Sequence, residues 1–231
     1  MSQTAVATTT GAVPPTVTVD NISGRWSMNL QLSDSYDSIL KIQGVNWLTR
    51  KVLNVGTISL KITQTISPLD SLTHLDIESK SGAGLPGSVE NRILNDETRS
   101  KKHPLFGNVV GRTRWAELSD LPSKYLGEGW EEGTKKVVLM TTEHTDIGAT
   151  TWQAGGIEKE MNGERRYVRR VEVRKGEEVL MARIVYDYLG PLEDPMVSYF
   201  LALICFPRLP IDIQGRRKAT SINTLPQKLD R

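Results

Sequence analysis

Apolar and polar positions alternate in short runs over most of this chain. "GRWSMNLQL" places Trp26, Met28 and Leu30 on one face at a period of two residues. In "TISLKIT", Ile58, Leu60 and Ile62 share a face, and Ser59, Lys61 and Thr63 take the other. "LTHLDIES", "GSVENRILN", "GNVVGRTRWAEL" and "KKVVLMTTEHT" follow as strands, with polar or Gly/Pro connections between them. From Thr150 to Gly190 the pattern predicts three antiparallel strands, turning at Asn162-Gly163 and Lys175-Gly176. Strands in series with short turns predict a meander that closes into a barrel or folds as a sandwich.

One stretch breaks the alternation. Tyr36, Ile39, Leu40 and Val45 recur at helical spacing, with Ser33 and Asp34 as candidate caps and Gly44 as the stop. "NWLTRKVLNVG" predicts a second short amphipathic helix with Trp47, Leu48, Val52 and Leu53 apolar, ending at Gly56. Neither helix is long enough to be stable alone, so both must pack on something. The mouth of a barrel is one such place.

The order Gly24-x-Trp26, helix pair, "ISLKIT" resembles the start of the intracellular fatty-acid-binding proteins. The residues that carry the resemblance are Tyr36, Leu40, Lys41, Gly44, Val45, Arg50 and Lys51. From Ile22 to Tyr188, with "GERRYVRRVEVRKG" and "RIVYDY", the chain is also similar to small lipocalin-like proteins of filamentous fungi, some of which act as cyclases in natural-product pathways. The resemblances imply an all-β fold: a single antiparallel up-and-down β-barrel of the calycin type with a two-helix lid. The expected layout is a flexible arm over 1–20, the barrel over 21–190 and a C-terminal extension over 191–231.

Composition narrows the function. The 29 basic and 27 acidic residues are interspersed, which leaves no electrostatic footprint for nucleic acid. A single cysteine, Cys205, excludes an intramolecular disulfide. His74, His103 and His144 stand at no ligand spacing, so no metal is expected. There is no Gly-x-Gly-x-x-Gly, Walker loop or Gly-x-Ser-x-Gly elbow, and no cofactor is expected. The N-terminus has neither a basic nor an apolar signal region, which predicts a cytoplasmic protein. In the extension, the run from Met196 to Phe206 is too short to span a bilayer. Packing on the barrel, an oligomer contact and a membrane-surface contact through 196–218 all remain open.

A barrel of this size holds one small ligand, held by a few polar groups among apolar ones. Tyr167, Arg169, Val171 and Val173 share the more apolar face of their strand. Inward, Arg169 and Tyr167 would hold or polarise an oxygen through charge-assisted hydrogen bonds. Outward, Arg169 would join an Arg cluster laced to Glu158, Glu160 and Glu172. Tyr186 is a candidate wall residue or a core aromatic. Trp47 would close over a ligand or pin the lid, and Trp115 and Trp152 would form core or cavity wall. Glu143 and His144 are adjacent, so only one faces inward. Glu143 is taken as the ligand-binding candidate. Two functions follow. One is a cofactor-free cyclase or isomerase of fungal secondary metabolism acting on a hydrophobic small molecule. The other is a non-catalytic carrier of lipid or fatty acid.

Overall fold

The structure is a computed structural model that describes residues 11–82, 84 and 87–192. Ten strands form one sheet. In chain order they are β1 (Gly24–Met28), β2 (Ile58–Ile66), β3 (Thr73–Ser81), β4 (Ser88–Ile93), β5 (Arg99–His103), β6 (Gly107–Glu117), β7 (Lys136–His144), β8 (Ala149–Lys159), β9 (Arg165–Lys175) and β10 (Glu178–Gly190). Consecutive strands pair antiparallel except β4 and β5, and β10 pairs with β1 as well as with β9. The one seam in this up-and-down barrel falls between β4 and β5. Side chains cross it: Arg92 donates from Nη1 to Thr113 Oγ1 (3.1 Å) on β6, and Lys101 Nζ on β5 lies 4.0 Å from Glu90 on β4.

The helices α1 (Asp37–Ile42) and α2 (Trp47–Val55) lie between β1 and β2. Ile39, Leu40, Gln43 and Leu53 face the cavity, so the pair forms a lid. Its start differs from the expected cap. Ser33 and Asp34 dock the connection onto β10, where Ser33 Oγ accepts from the Val185 amide (2.9 Å) and Asp34 Oδ2 from the Arg183 amide (2.7 Å). α1 therefore has Tyr36 at its N-cap position, with no side-chain cap bond. α2 is capped by Asn46, whose Oδ1 accepts from the Thr49 amide (2.9 Å).

Three features differ from the sequence pattern. β5, "RSKKH", has no aliphatic residue and lies at the seam, so hydrophobic alternation cannot reveal it. Leu118–Gly133 is an excursion with a short helix, α3 (Lys124–Gly127), that covers the outer face of β7–β9 with Leu126 and Trp130. The arm expected over 1–20 is packed from Gly11 onward. Val13 and Val17 are buried, the Tyr188 amide donates to Gly11 O (2.9 Å), and Arg165 donates from Nη1 to Pro14 O (2.7 Å). The chain beyond 192, including most of the expected extension, lies outside the described residues.

Two glycine sites fit the excursion and the floor together. In "AGGIEK", Gly155 lies under the Tyr167 hydroxyl inside the barrel, and Gly156 lies under Trp130 outside it. Gly129 in the excursion has φ +80°, and a Cβ there would overlap the Arg170 guanidinium. Gly129→Ala is therefore expected to destabilise the fold by more than about 1 kcal/mol, read from the urea midpoint.

Candidate active site

The barrel encloses a cavity of about 550 Å³. That is within the range of roughly 300–1,000 Å³ typical of small-molecule sites. Its floor is aromatic. Trp26 is fully buried and donates from Nε1 to Ile22 O (3.1 Å). Its ring centroid is 5.2 Å from Tyr167, and Tyr167 is 5.6 Å from Tyr186. Aromatic contacts at these distances hold such a floor rigid.

Arg169 lies on this floor and lines the cavity. Its Nε donates to the Tyr167 hydroxyl (3.1 Å), and its Cζ lies 5.7 and 5.6 Å from the Tyr167 and Tyr186 ring centroids. Nη2 is buried with no hydrogen-bond partner. No carboxylate among the described residues pairs with Arg169. Every other arginine of β9 and β10 has one: Arg165 pairs with Glu131 (2.8 Å), Arg166 with Glu164 (2.5 Å), Arg170 with Glu158 (2.6 Å), Arg174 with Glu172 (2.5 Å) and Arg183 with Glu158 (2.7 Å). Burial works against charge on Arg169, but Tyr167, Tyr186 and Glu90 outweigh it and raise its pKa above the ordinary value. The group is a cation in a mostly apolar cavity, and hydrogen-bonding capacity remains at its Nη2. Tyr186 lines the cavity beside it. Burial raises the phenol's pKa, so it stays neutral and able to donate a hydrogen bond.

The remaining sequence candidates divide. Tyr167 faces inward but lies beneath Arg169, as its partner rather than as cavity wall. Trp115 also points inward, yet it plugs the closed end, with Nε1 3.4 Å from Thr73 Oγ1 and Lys136 Nζ over its ring (4.2 Å). Trp152 faces outward, since its neighbours Thr151 and Gln153 take the cavity side. It packs against the excursion cluster, with Arg174 over its ring (5.4 Å). Trp47 is 63% exposed on the outer side of α2. Trp47→Ala is therefore expected to leave cavity-ligand affinity within about twofold, measured by fluorescence titration. Glu143 is exposed and His144 is the inward one, buried and lining the cavity. Both faces of β7 are apolar because the excursion covers the outer one, which is why parity did not choose between them.

Sequence reasoning missed the polar group at the seam. Glu90 is held by Arg92 (2.8 Å from Nε) and faced by Lys101. Burial raises its pKa, but these cations prevail and hold it below the usual carboxylate value. Among the described residues no group of three or more potential metal ligands occurs.

The chain is 39% identical over 183 residues to the probable pericyclase scpY of Mollisia scopiformis, spanning 78% of this chain and 96% of that protein. It is 38% identical over 182 residues to the pericyclase pydY of an Acremonium species, spanning 78% and 98%. The chain belongs to the fungal pericyclase family. Membership favours the cyclase expectation over the carrier and agrees with a hydrophobic molecule bound in the barrel. No family model matches. Among solved structures, the fatty acid transporter REP1-NXSQ is 12% identical over 74% of this chain and 98% of its own, with a TM-score of 0.48.

Proposed function

We propose that the protein accelerates a pericyclic ring closure of a polyunsaturated substrate whose conjugated carbonyl accepts hydrogen bonds from Arg169 and Tyr186. The observation that supports this is the buried guanidinium of Arg169, with no carboxylate paired to it among the described residues, at the floor of a mostly apolar cavity. Donors in a dry site stabilise charge that develops on an oxygen in the transition state. Hydrogen bonds to the carbonyl draw electron density from the attached alkene and lower the barrier to cycloaddition. All bonds form and break within the substrate, so the product is an isomer and no proton or electron is exchanged. The apolar walls add the second contribution by folding the chain so that its reacting ends meet.

The test uses a producing strain lacking this gene. It should accumulate an uncyclised polyene of the same mass as the final ring system. Purified protein in chelator-treated buffer should convert that polyene faster than buffer alone. The same guanidinium suits a fatty carboxylate, so a carrier is the second reading. A carrier would bind the polyene without changing its rate of closure. No helix among the described residues is long and apolar enough to cross a membrane. The proposed place of action is the cytoplasm, checked by cell fractionation.

A further inference from the structure

The cavity has a second polar pole, at its lid end. His144 on β7 is 2% exposed and lines the cavity. Its Nε2 lies 2.9 Å from Thr151 Oγ1 on β8, and Gln43, at the end of α1, donates to the same hydroxyl (2.9 Å). Phe106 stands edge-on to the ring at 5.4 Å and fixes its plane. His144 Nδ1 is buried and has no hydrogen-bond partner.

The network assigns the ring proton. The Thr151 hydroxyl accepts from Gln43 and has one proton to give. Giving it to His144 Nε2 satisfies that nitrogen, and a neutral ring then carries its hydrogen on Nδ1. The opposite assignment strands both the hydroxyl proton and the Nδ1 lone pair, whereas this one leaves only the Nδ1–H unpaired. Burial, with the nearby His103 adding to it, lowers the His144 pKa, which keeps the ring neutral. His144, whose ring lines the cavity, therefore carries one buried, unpaired N–H donor at the lid end.

The register sets the spacing of the two poles. Thr151 is opposite Val173, and Arg169 is opposite Gly155. The two levels are four residues apart, which is about 14 Å of strand. Midway between them Val171 on β9 is opposite Gln153 on β8, and both line the cavity; the lining also includes the apolar Leu60 and Ile77.

We propose that His144 is a specificity-determining residue whose Nδ1–H binds a carbonyl or ether oxygen at the lid end of an elongated apolar substrate. The other end of that substrate carries the oxygen that Arg169 holds, so the inference rests on the role given to Arg169 above. The substrate class is a hydrophobic chain with a hydrogen-bond acceptor at each end. A molecule with one polar end would leave the buried N–H unpaired, which disfavours it.

Two acids of matched length test this by calorimetry on the full chain: tetradecanoic acid and monomethyl dodecanedioate, which adds an ester at the far end. In the parent, Arg169 should bind the carboxylate of both. His144→Phe should lower the affinity ratio of half-ester to tetradecanoic acid about tenfold and leave tetradecanoic acid within about twofold. His144→Gln, which keeps an N–H donor, should restore part of the ratio. In the parent labelled with nitrogen-15, the half-ester should shift the His144 Nδ1 resonance and tetradecanoic acid should not. This readout stands even if the variants fail to fold. A ratio unchanged in His144→Phe, or an Nδ1 resonance that ignores the half-ester, overturns the role of His144. Arg169→Met should weaken both acids. If it weakens neither, the role of Arg169 fails, while the His144 ratio and shift still report separately.

Discussion

Arg169→Met is expected to slow ring closure by about 10²–10³-fold while leaving the fold about as stable as the parent. Both expectations have one origin. Arg169 is a cation on an aromatic floor, with one hydrogen bond to Tyr167 and no carboxylate partner among the described residues. Burial of the guanidinium carries a desolvation cost that the Tyr167 hydrogen bond, the two rings and the more distant Glu90 offset, so an apolar side chain of similar length, which has no such cost and needs no such partners, is tolerated there. The same change removes the donor proposed for the reacting oxygen. Single-turnover rates under excess enzyme, beside urea unfolding of both proteins, read the two effects separately. Arg169→Lys sharpens the test. It keeps the charge but loses the planar fork, so it should recover little of the rate. A variant with parental rates would remove Arg169 from the chemistry. A variant that unfolds would make Arg169 a structural residue instead.

Much of this site was legible in the chain, because strand parity is a strong signal where one face is apolar and the other charged. On β9, Tyr167, Val171 and Val173 mark the inner face, and Arg169 shares their parity; the structure puts it in the cavity. The helix pair was legible because "SYDSILKIQG" changes the period between two alternating strands. What failed was parity where both faces are covered. β7 is buried on both sides from Val137 to Thr141, where Leu126 and Trp130 of the excursion lie over Val137, so both parities are apolar and Glu143 and His144 looked equivalent. Trp152 was lost for the same reason: a large aromatic reads as inward, yet its strand gives the cavity to Thr151 and Gln153. The His144–Thr151–Gln43 contact joins residues 108 positions apart, from the lid to β8. Local pattern carries no information about such a contact.

The second large effect is expected from Glu158→Gln on the outer face of the barrel. Glu158 is 3% exposed and bridges two arginines, with Oε1 2.6 Å from Arg170 Nε and Oε2 2.7 Å from Arg183 Nε. Arg170 is itself covered by Tyr125 and Trp130 of the excursion, at 5.2 and 5.9 Å from the ring centroids. Glutamine keeps the shape but has no charge and only one acceptor oxygen, so at least one guanidinium loses its partner. Removing one partner of a buried ion pair costs about 3–5 kcal/mol, and the lower figure applies here because Arg183 is partly exposed and also meets Glu160. The loss should appear as a lower urea midpoint and as early proteolysis within Leu118–Gly133, since Arg170 ties that excursion to the barrel. Ring closure by the molecules that remain folded should be little changed, because Glu158 lies on the opposite face of the sheet from Arg169 and touches nothing in the cavity. Glu158→Gln and Arg169→Met therefore form a crossed pair, the first lowering stability at constant rate per folded molecule and the second lowering rate at constant stability. If Glu158→Gln leaves the urea midpoint unchanged, the outer network is solvated charge and does not hold the excursion in place.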